Sequence, residues 1–174
     1  MKKVAVIFAN GTEELEALTP VDVLRRAGVE CDIVSISGTF PQGSHNIIVK
    51  ADKILEEVDL NSYDGIIIPG GLPGANNIAK EEKIISATDK MLKDKKLVAS
   101  ICASPAIVLA NQGLIKGKKA TCYPTQDFID ALKENFYTAK SVEIDENLIT
   151  ANGPKSAMEF SIKICKFLGV NPKF

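Results

Sequence analysis

The stretch SICASPAIVLA places Cys102 after an apolar run and three residues ahead of Pro105, where a helical pattern begins. A cysteine at a strand-to-helix junction resembles a nucleophile elbow, in which a tight turn pushes the side chain into a cleft. The free amides of a helix opening near Pro105 would point back at the sulfur. Such a helix end favours an anion, typically by ~0.3–1 kcal/mol, and lowers a thiol from its ordinary value of about 8.5. The placement therefore predicts a thiolate nucleophile; an inert, small hydrophobe at the end of a strand is the competing reading. IIIPGG adds Gly70 and Gly71, whose amides can come close to a ligand and donate to an oxyanion. Those glycines also suit a simple tight turn, and they carry neither the dinucleotide spacing nor a phosphate-binding lysine. GTEELEALTP supplies three carboxylates. Glu13 and Glu14 read as first-turn acids of a helix. Glu16, set between Leu15 and Ala17-Leu18, reads as pointing inward, where burial raises a carboxyl pKa and makes it a proton carrier.

The rest of the composition narrows the setting. The 174 residues carry a net charge of −1 with acids and bases interspersed, and no basic stripe for nucleic acid emerges. MKKVAVIFA is too short for a signal-peptide core and reads as a first buried strand. No run has the length of a membrane span. Cys31, Cys102, Cys122 and Cys165 form no metal-ligand spacing and there is one histidine, His45, so neither a zinc site nor any other metal or cofactor is expected. Reduced thiols in a cytoplasm are the expectation.

To position these groups the chain must alternate strands and helices. Val4–Ala9, Cys31–Ser37, Gly65–Pro69 and Leu97–Ile101 read as strands buried on both faces. Thr19-Pro20 reads as a cap and first-turn proline opening a helix that Gly28 closes. Further helices are predicted over Glu81–Lys93, from Pro105 to Gly113, in PTQDFIDALKEN and in KSAMEFSIKICKFLG. HNIIVKAD reads as a strand after the turn FPQGS, and SVEIDENLITAN as a small antiparallel hairpin. The pattern implies one α/β domain over residues 1–174, a flavodoxin-like, doubly wound, mostly parallel sheet sandwiched by helices. Ligands in such sheets bind beyond the carboxyl ends of the strands. That is where the loops holding Glu16, Gly70-Gly71 and Cys102 fall, joined by those around Tyr123 and Asn152-Gly153-Pro154.

The segments GTEELEALTPVDVLRRAG, DGIIIPGGLPGANNI, ICASPAIVLA, YPT and NGPKSAMEF, in this order, resemble the ThiJ/PfpI superfamily, most closely its DJ-one and YajL-like protein deglycase branch. The resemblance covers nearly the whole chain. It implies that Cys102 is the oxidation-sensitive nucleophile and Glu16 the protonated glutamate bonded to it. It further implies that the amides of Gly71 and Ala103 bind an oxyanion, that Gly153 and Pro154 border the pocket, and that the protein is a homodimer. Ala103 stands where the protease-like branch has histidine, and Tyr123 where the deglycase has one. An in-chain Cys–His dyad is therefore not expected, and Tyr123 or a partner chain's His45 is left as the substitute.

Three functions follow as expectations. The first is glyoxalase III or deglycase chemistry on a small reactive carbonyl or a glycated substrate. The second is a non-catalytic oxidative-stress sensor or redox-regulated chaperone built on Cys102. The third is a small amidase or peptidase-like hydrolase. Cys122 enters either as a resolving thiol or as a core residue.

Overall fold

The computed structural model describes residues 1–174. Its centre is a run of short strands: β1 (Lys3–Phe8), β2 (Glu30–Ser35), β3 (Lys53–Ile54), β4 (Gly65–Ile68) and β5 (Leu97–Ile101). After β6 (Lys119–Ala120) and β7 (Phe136–Tyr137), which pair with each other, come β8 (Val142–Asp145) and β9 (Leu148–Ala151). The main sheet runs β3-β2-β1-β4-β5-β9-β8. Every neighbouring pair in it is parallel except β8 and β9, the antiparallel hairpin.

Strand side chains alternate between faces, and here both faces are apolar. Ala5 and Ile7 of β1 join one core with Ile66, Ile68, Ile84 and Met91, while Val4, Val6 and Phe8 join another with Leu24, Ile67 and Phe160. This double burial is the mark of a sheet covered on both sides. Helices α1 (Glu14–Arg26), α2 (Gly74–Ile78), α3 (Glu82–Lys93), α4 (Gln126–Ala131) and α5 (Ala157–Leu168) do the covering. α1 and α5 pack together over the Phe8 face, and α2 and α3 lie on the other. Gly169, left-handed, closes α5 as its sequence implies.

Four elements differ from expectation. α1 begins at Glu14 and not after Thr19, because the Glu13 carboxylate caps it, accepting the Glu16 N–H at 2.8 Å. Pro20 is consequently inside the helix and buried, leaving the Glu16 carbonyl without the bond that residue 20 would donate. Thr-Pro imitates a helix start, whereas glutamate is not a favoured cap type, which hid the true one. HNIIVKAD forms no strand. Val49 and Ala51 donate to the carbonyls of Pro41 and Thr39, but Pro41 has no N–H to return, and one isolated Gln42–Ile48 bridge remains. After Cys102 comes a π-helix, Pro105–Ala110, with bonds such as Asn111 N–H to Ala106 carbonyl at 3.0 Å. Finally, PGANNI, read only as a loop, winds into α2.

A cysteine elbow at the end of strand β5

β1 and β4 are neighbours from which the sheet grows in opposite directions, and the loops after them converge with the loop after β5. This is the topological switch where an open α/β sheet leaves a crevice. Cys102 follows β5 directly and adopts φ +66°, a left-handed conformation that non-glycine residues rarely take. Main-chain bonds hold it there. Its N–H donates to the Ala151 carbonyl of β9 at 2.9 Å, and its carbonyl accepts the Tyr123 N–H at 2.8 Å. Strain of this kind costs ~1–3 kcal/mol and persists only where the surroundings over-determine it. The expected elbow is present.

Two glycines bring the β4 loop against it. A Cβ on Gly70 would fall 2.7 Å from both Cys102 Cβ and Glu16 Oε2, so only a bare backbone lets thiol and carboxyl converge. Gly71 has φ +89°, and a Cβ there would lie 2.4 Å from the Glu13 nitrogen. Ser104 Oγ donates to the Pro69 carbonyl, tying this loop to the turn after Cys102.

Glu16 reaches the site from the first turn of α1 and is fully buried. Its Oε2 accepts the Gly70 N–H at 2.8 Å, and its Oε1 has no protein hydrogen-bond partner. Burial, reinforced by the charge of Glu13, lifts its pKa to about 7 against the opposing pull of the Cys102 and Gly70 hydrogen bonds. The inward, buried carboxyl with a raised pKa expected from the sequence is there.

The thiol departs from expectation. Burial first, and then the charge of an ionised Glu16, push the Cys102 thiol above its ordinary value, while the Ala103 and Gly71 amides pull the other way. The π-helix end alone therefore does not yield a thiolate. Sulfur and carboxyl resist carrying two negative charges together, and they titrate as a coupled pair.

A cavity of about 340 Å3 opens onto the sulfur, lined by Gly71, Leu72, Cys102, Ala103, Tyr123, Thr125, Asp127 and Phe128. Gly71, Ala103 and Tyr123 thus stand where the sequence placed them. Gly70 serves Glu16 instead, and Gly153 packs under the Tyr123 ring. Pro154 lines a separate cavity of about 470 Å3, with Glu13, Glu14, Leu15, Leu18, Thr19, His45 and Ile47. There the His45 ring lies 3.0 Å from Glu14 Oε2 and 3.7 Å from Glu13 Oε1. Ligand atoms of these three residues fall within 4.8 Å of one another, the one group of three in the chain able to hold a metal ion. Glu14 is not a free first-turn acid. Burial opposes its charge, but the His45 and Ile47 N–H groups and the His45 ring outweigh it and hold the carboxylate below its usual range. Leu72, Thr125, Asp127 and Phe128 were missed by the sequence reading. The last three lie in or beside a helix foreseen from its pattern, but nothing in that pattern says which face meets Cys102. Cys122 is fully buried in the core, and burial pushes its thiol up to about 12.

Residues 2–167 match the model of the DJ-1/PfpI family. The chain belongs to this family. Among DJ-1/PfpI proteins it is similar to Arabidopsis thaliana Protein DJ-1 homolog B, 38% identical over 96% of this chain and 38% of that protein. It is 36% identical to the Danio rerio Parkinson disease protein 7 homolog, over 96% and 89%. The chain therefore spans well under half the length of the plant relative and most of the fish one. Oxidized Toxoplasma gondii DJ-1 superposes with a TM-score of 0.91 at 37% identity, over 97% of this chain and 91% of that one. The DJ-1/PfpI fold thus accounts for the mostly parallel sheet, its flanking helices and the antiparallel pair. No helix is long and apolar enough to cross a membrane.

Proposed function

We propose that the protein is a cysteine-dependent enzyme acting on reactive carbonyls, of glyoxalase III or deglycase type. One observation carries the reading: a left-handed Cys102 meets the amides of Gly71 and Ala103 and a buried Glu16 whose pKa is about 7. The working state has the thiol ionised and the pair's proton on the Glu16 carboxyl. Cys102 then attacks the aldehyde carbon of a dicarbonyl such as methylglyoxal. The alkoxide of the hemithioacetal is held by the Gly71 and Ala103 N–H groups and takes up the Glu16 proton. Glu16, now ionised, removes the C–H proton and returns it to the neighbouring carbon while the hydroxyl proton passes to the former ketone oxygen, leaving a thioester of a hydroxy acid. Water cleaves the thioester, releasing lactate and restoring thiol and carboxyl. A carboxyl titrating near neutrality suits a group that must both give and take a proton. On a glycated amine, the same attack would end with the amine released.

Lactate formation from methylglyoxal tests the proposal. Cys102→Ser should reduce it by about 10³-fold or more, and Glu16→Gln by about 10²-fold. Equal turnover by Cys102→Ser would end it.

A second reading, an oxidative-stress sensor or redox-regulated chaperone, is favoured by one specific observation. Cys102 alone among the cysteines is not fully buried, and amide donors surround its sulfur. A similar structure was solved in an oxidized form. The hydrolase reading loses support, because the only imidazole is engaged with Glu13 and Glu14 and no base but Glu16 meets the thiol. Family membership together with the exposed Leu15 and Ile47 supports a homodimer in the cytoplasm. A monomeric mass by light scattering would remove the dimer, and fractionation with the membrane or exterior would remove the compartment.

A further inference from the structure

The cavity over Cys102 has an electrical sign. Of the residues lining it, Asp127 alone is a carboxylate residue, and no basic residue is present to offset it. None of the 21 lysines and arginines of the chain is among them. Beneath the cavity the titratable groups are two further acids, the Cys102 thiol and the buried Glu16 carboxyl. The opposite sign is lodged elsewhere: the nearest imidazole, His45, lines the other cavity and faces Glu13 and Glu14. The remaining walls are backbone at Gly71 and Ala103, a hydroxyl at Thr125, and the apolar or aromatic Leu72, Tyr123 and Phe128. A cleft lined by one sign of charge with low-dielectric walls concentrates the field and raises the local concentration of oppositely charged ligands. Aromatic faces add attraction for a cation but none for an anion.

We infer that this cavity selects carbonyl compounds carrying a positively charged group, an ammonium or guanidinium, and disfavours those carrying a carboxylate, with Asp127 as the specificity-determining residue. The inference rests on Cys102 being the nucleophile of the proposed reaction and names the charge class of its substrate. It separates an adduct on a basic amino acid or peptide, which fits, from a free oxo acid, which does not. Asp127 also sits in the first turn of α4. That position stabilises the helix whatever ligand is present, so only the sign of selection distinguishes the two roles.

The experiment measures Cys102 modification by three methanethiosulfonates that differ in one group: trimethylammonioethyl, methyl and sulfonatoethyl. In each case the thiolate attacks the sulfenyl sulfur, a mixed disulfide forms, and methanesulfinate leaves with the electron pair. Rates are followed by mass spectrometry on the full chain, with Cys102→Ser as the blank. The quantity read is the cation-to-anion rate ratio within each protein, divided by the same ratio for 2-mercaptoethanol. In the native protein at low ionic strength it should be about ten or more, and at 0.5 M salt it should shrink towards one. Asp127→Asn should cut it at least about three-fold, and Asp127→Lys should bring it below one. A native ratio equal to that of the free thiol, or one unchanged in Asp127→Asn, overturns the inference. A purely structural role for Asp127 would slow all three reagents together, leave the ratio alone and so also overturn it. The methyl reagent reports separately on the reading beneath: if it reacts no faster than with free cysteine, the nucleophile fails while the ratio still decides the selection.

Discussion

Cys102 and Cys31 lie one strand-length of chemistry apart: each belongs to a parallel strand of the same sheet, one just past its end and the other within it. Cys31 is inside β2, packed in the core on the Phe8 face, and burial pushes its thiol up to about 12. Cys102 is also displaced upwards, by burial first, yet part of its displacement can be reversed. Part of its displacement is the charge of one neighbouring carboxylate, and two amides oppose it. Moving a proton onto Glu16 removes the repulsion and leaves the amides in place. For Cys31 no comparable partner exists: Arg25 offers some relief, but desolvation dominates. On the proposed function, what separates Cys102 from Cys31 is a neighbour able to take its proton, more than exposure or a helix end.

The contrast can be broken most directly with peroxide. Mass spectrometry after a mild dose should find Cys102 oxidised about 10³-fold faster than Cys31, since the thiolate is the reacting form. Uniform oxidation of all four cysteines would erase the distinction. A smaller but still large effect concerns the loop facing the elbow. Gly71→Ala forces a Cβ against the Glu13 backbone at a left-handed position, and should cost about 3 kcal/mol or more in urea unfolding. Gly28→Ala, also left-handed but with nothing within 4 Å of the added carbon, should cost about 1 kcal/mol. Equal losses would show that crowding at the elbow is immaterial.

Comparable in size to the Gly71 effect is a dependence on pH. Glu16 titrates near 7 in the fold against 4.5 when exposed, so the folded chain binds its proton more tightly. Stability from this group is therefore full below about pH 4.5 and declines as pH rises through 7, by up to about 3 kcal/mol. Glu16→Gln should lack that slope when both proteins are compared with chelator present. A native profile that climbs between pH 5 and 8 by the amount the variant climbs would contradict the raised carboxyl. A milder arm uses thiol modification: without a proton acceptor, Cys102 in Glu16→Gln should lose the inflection near pH 7 in its alkylation rate.

Much of this was legible in the chain itself. Strands β1, β2, β4 and β5 were readable because both faces are apolar and the runs are short. The hairpin β8–β9 was readable because a polar triplet divides two apolar runs. Glu16 could be picked from three acids by its apolar flanks. Illegible parts share a cause: they depend on partners remote in sequence. Pro20 inside α1 is tolerated because α1 is packed against α5, which no local pattern reports. The absent strand at HNIIVKAD reflects a proline in the segment it would have paired with. The upward displacement of Cys102 comes from burial first and then from a carboxylate 86 positions away in the chain (102 minus 16). Asp127 and Phe128 were invisible as site residues because a helical pattern fixes a face only once its neighbour is known.

The innermost walls beside the sulfur are main chain, contributed by Gly71 and Ala103. A peptide N–H is the same donor whatever side chain its residue carries, so the Ala103 part of this wall is buffered against mutation, whereas Gly71 admits no Cβ. The outer rim, made of Leu72, Thr125, Asp127 and Phe128, has no such insurance. The rim can therefore change its chemistry while the main-chain wall beside the sulfur stays the same.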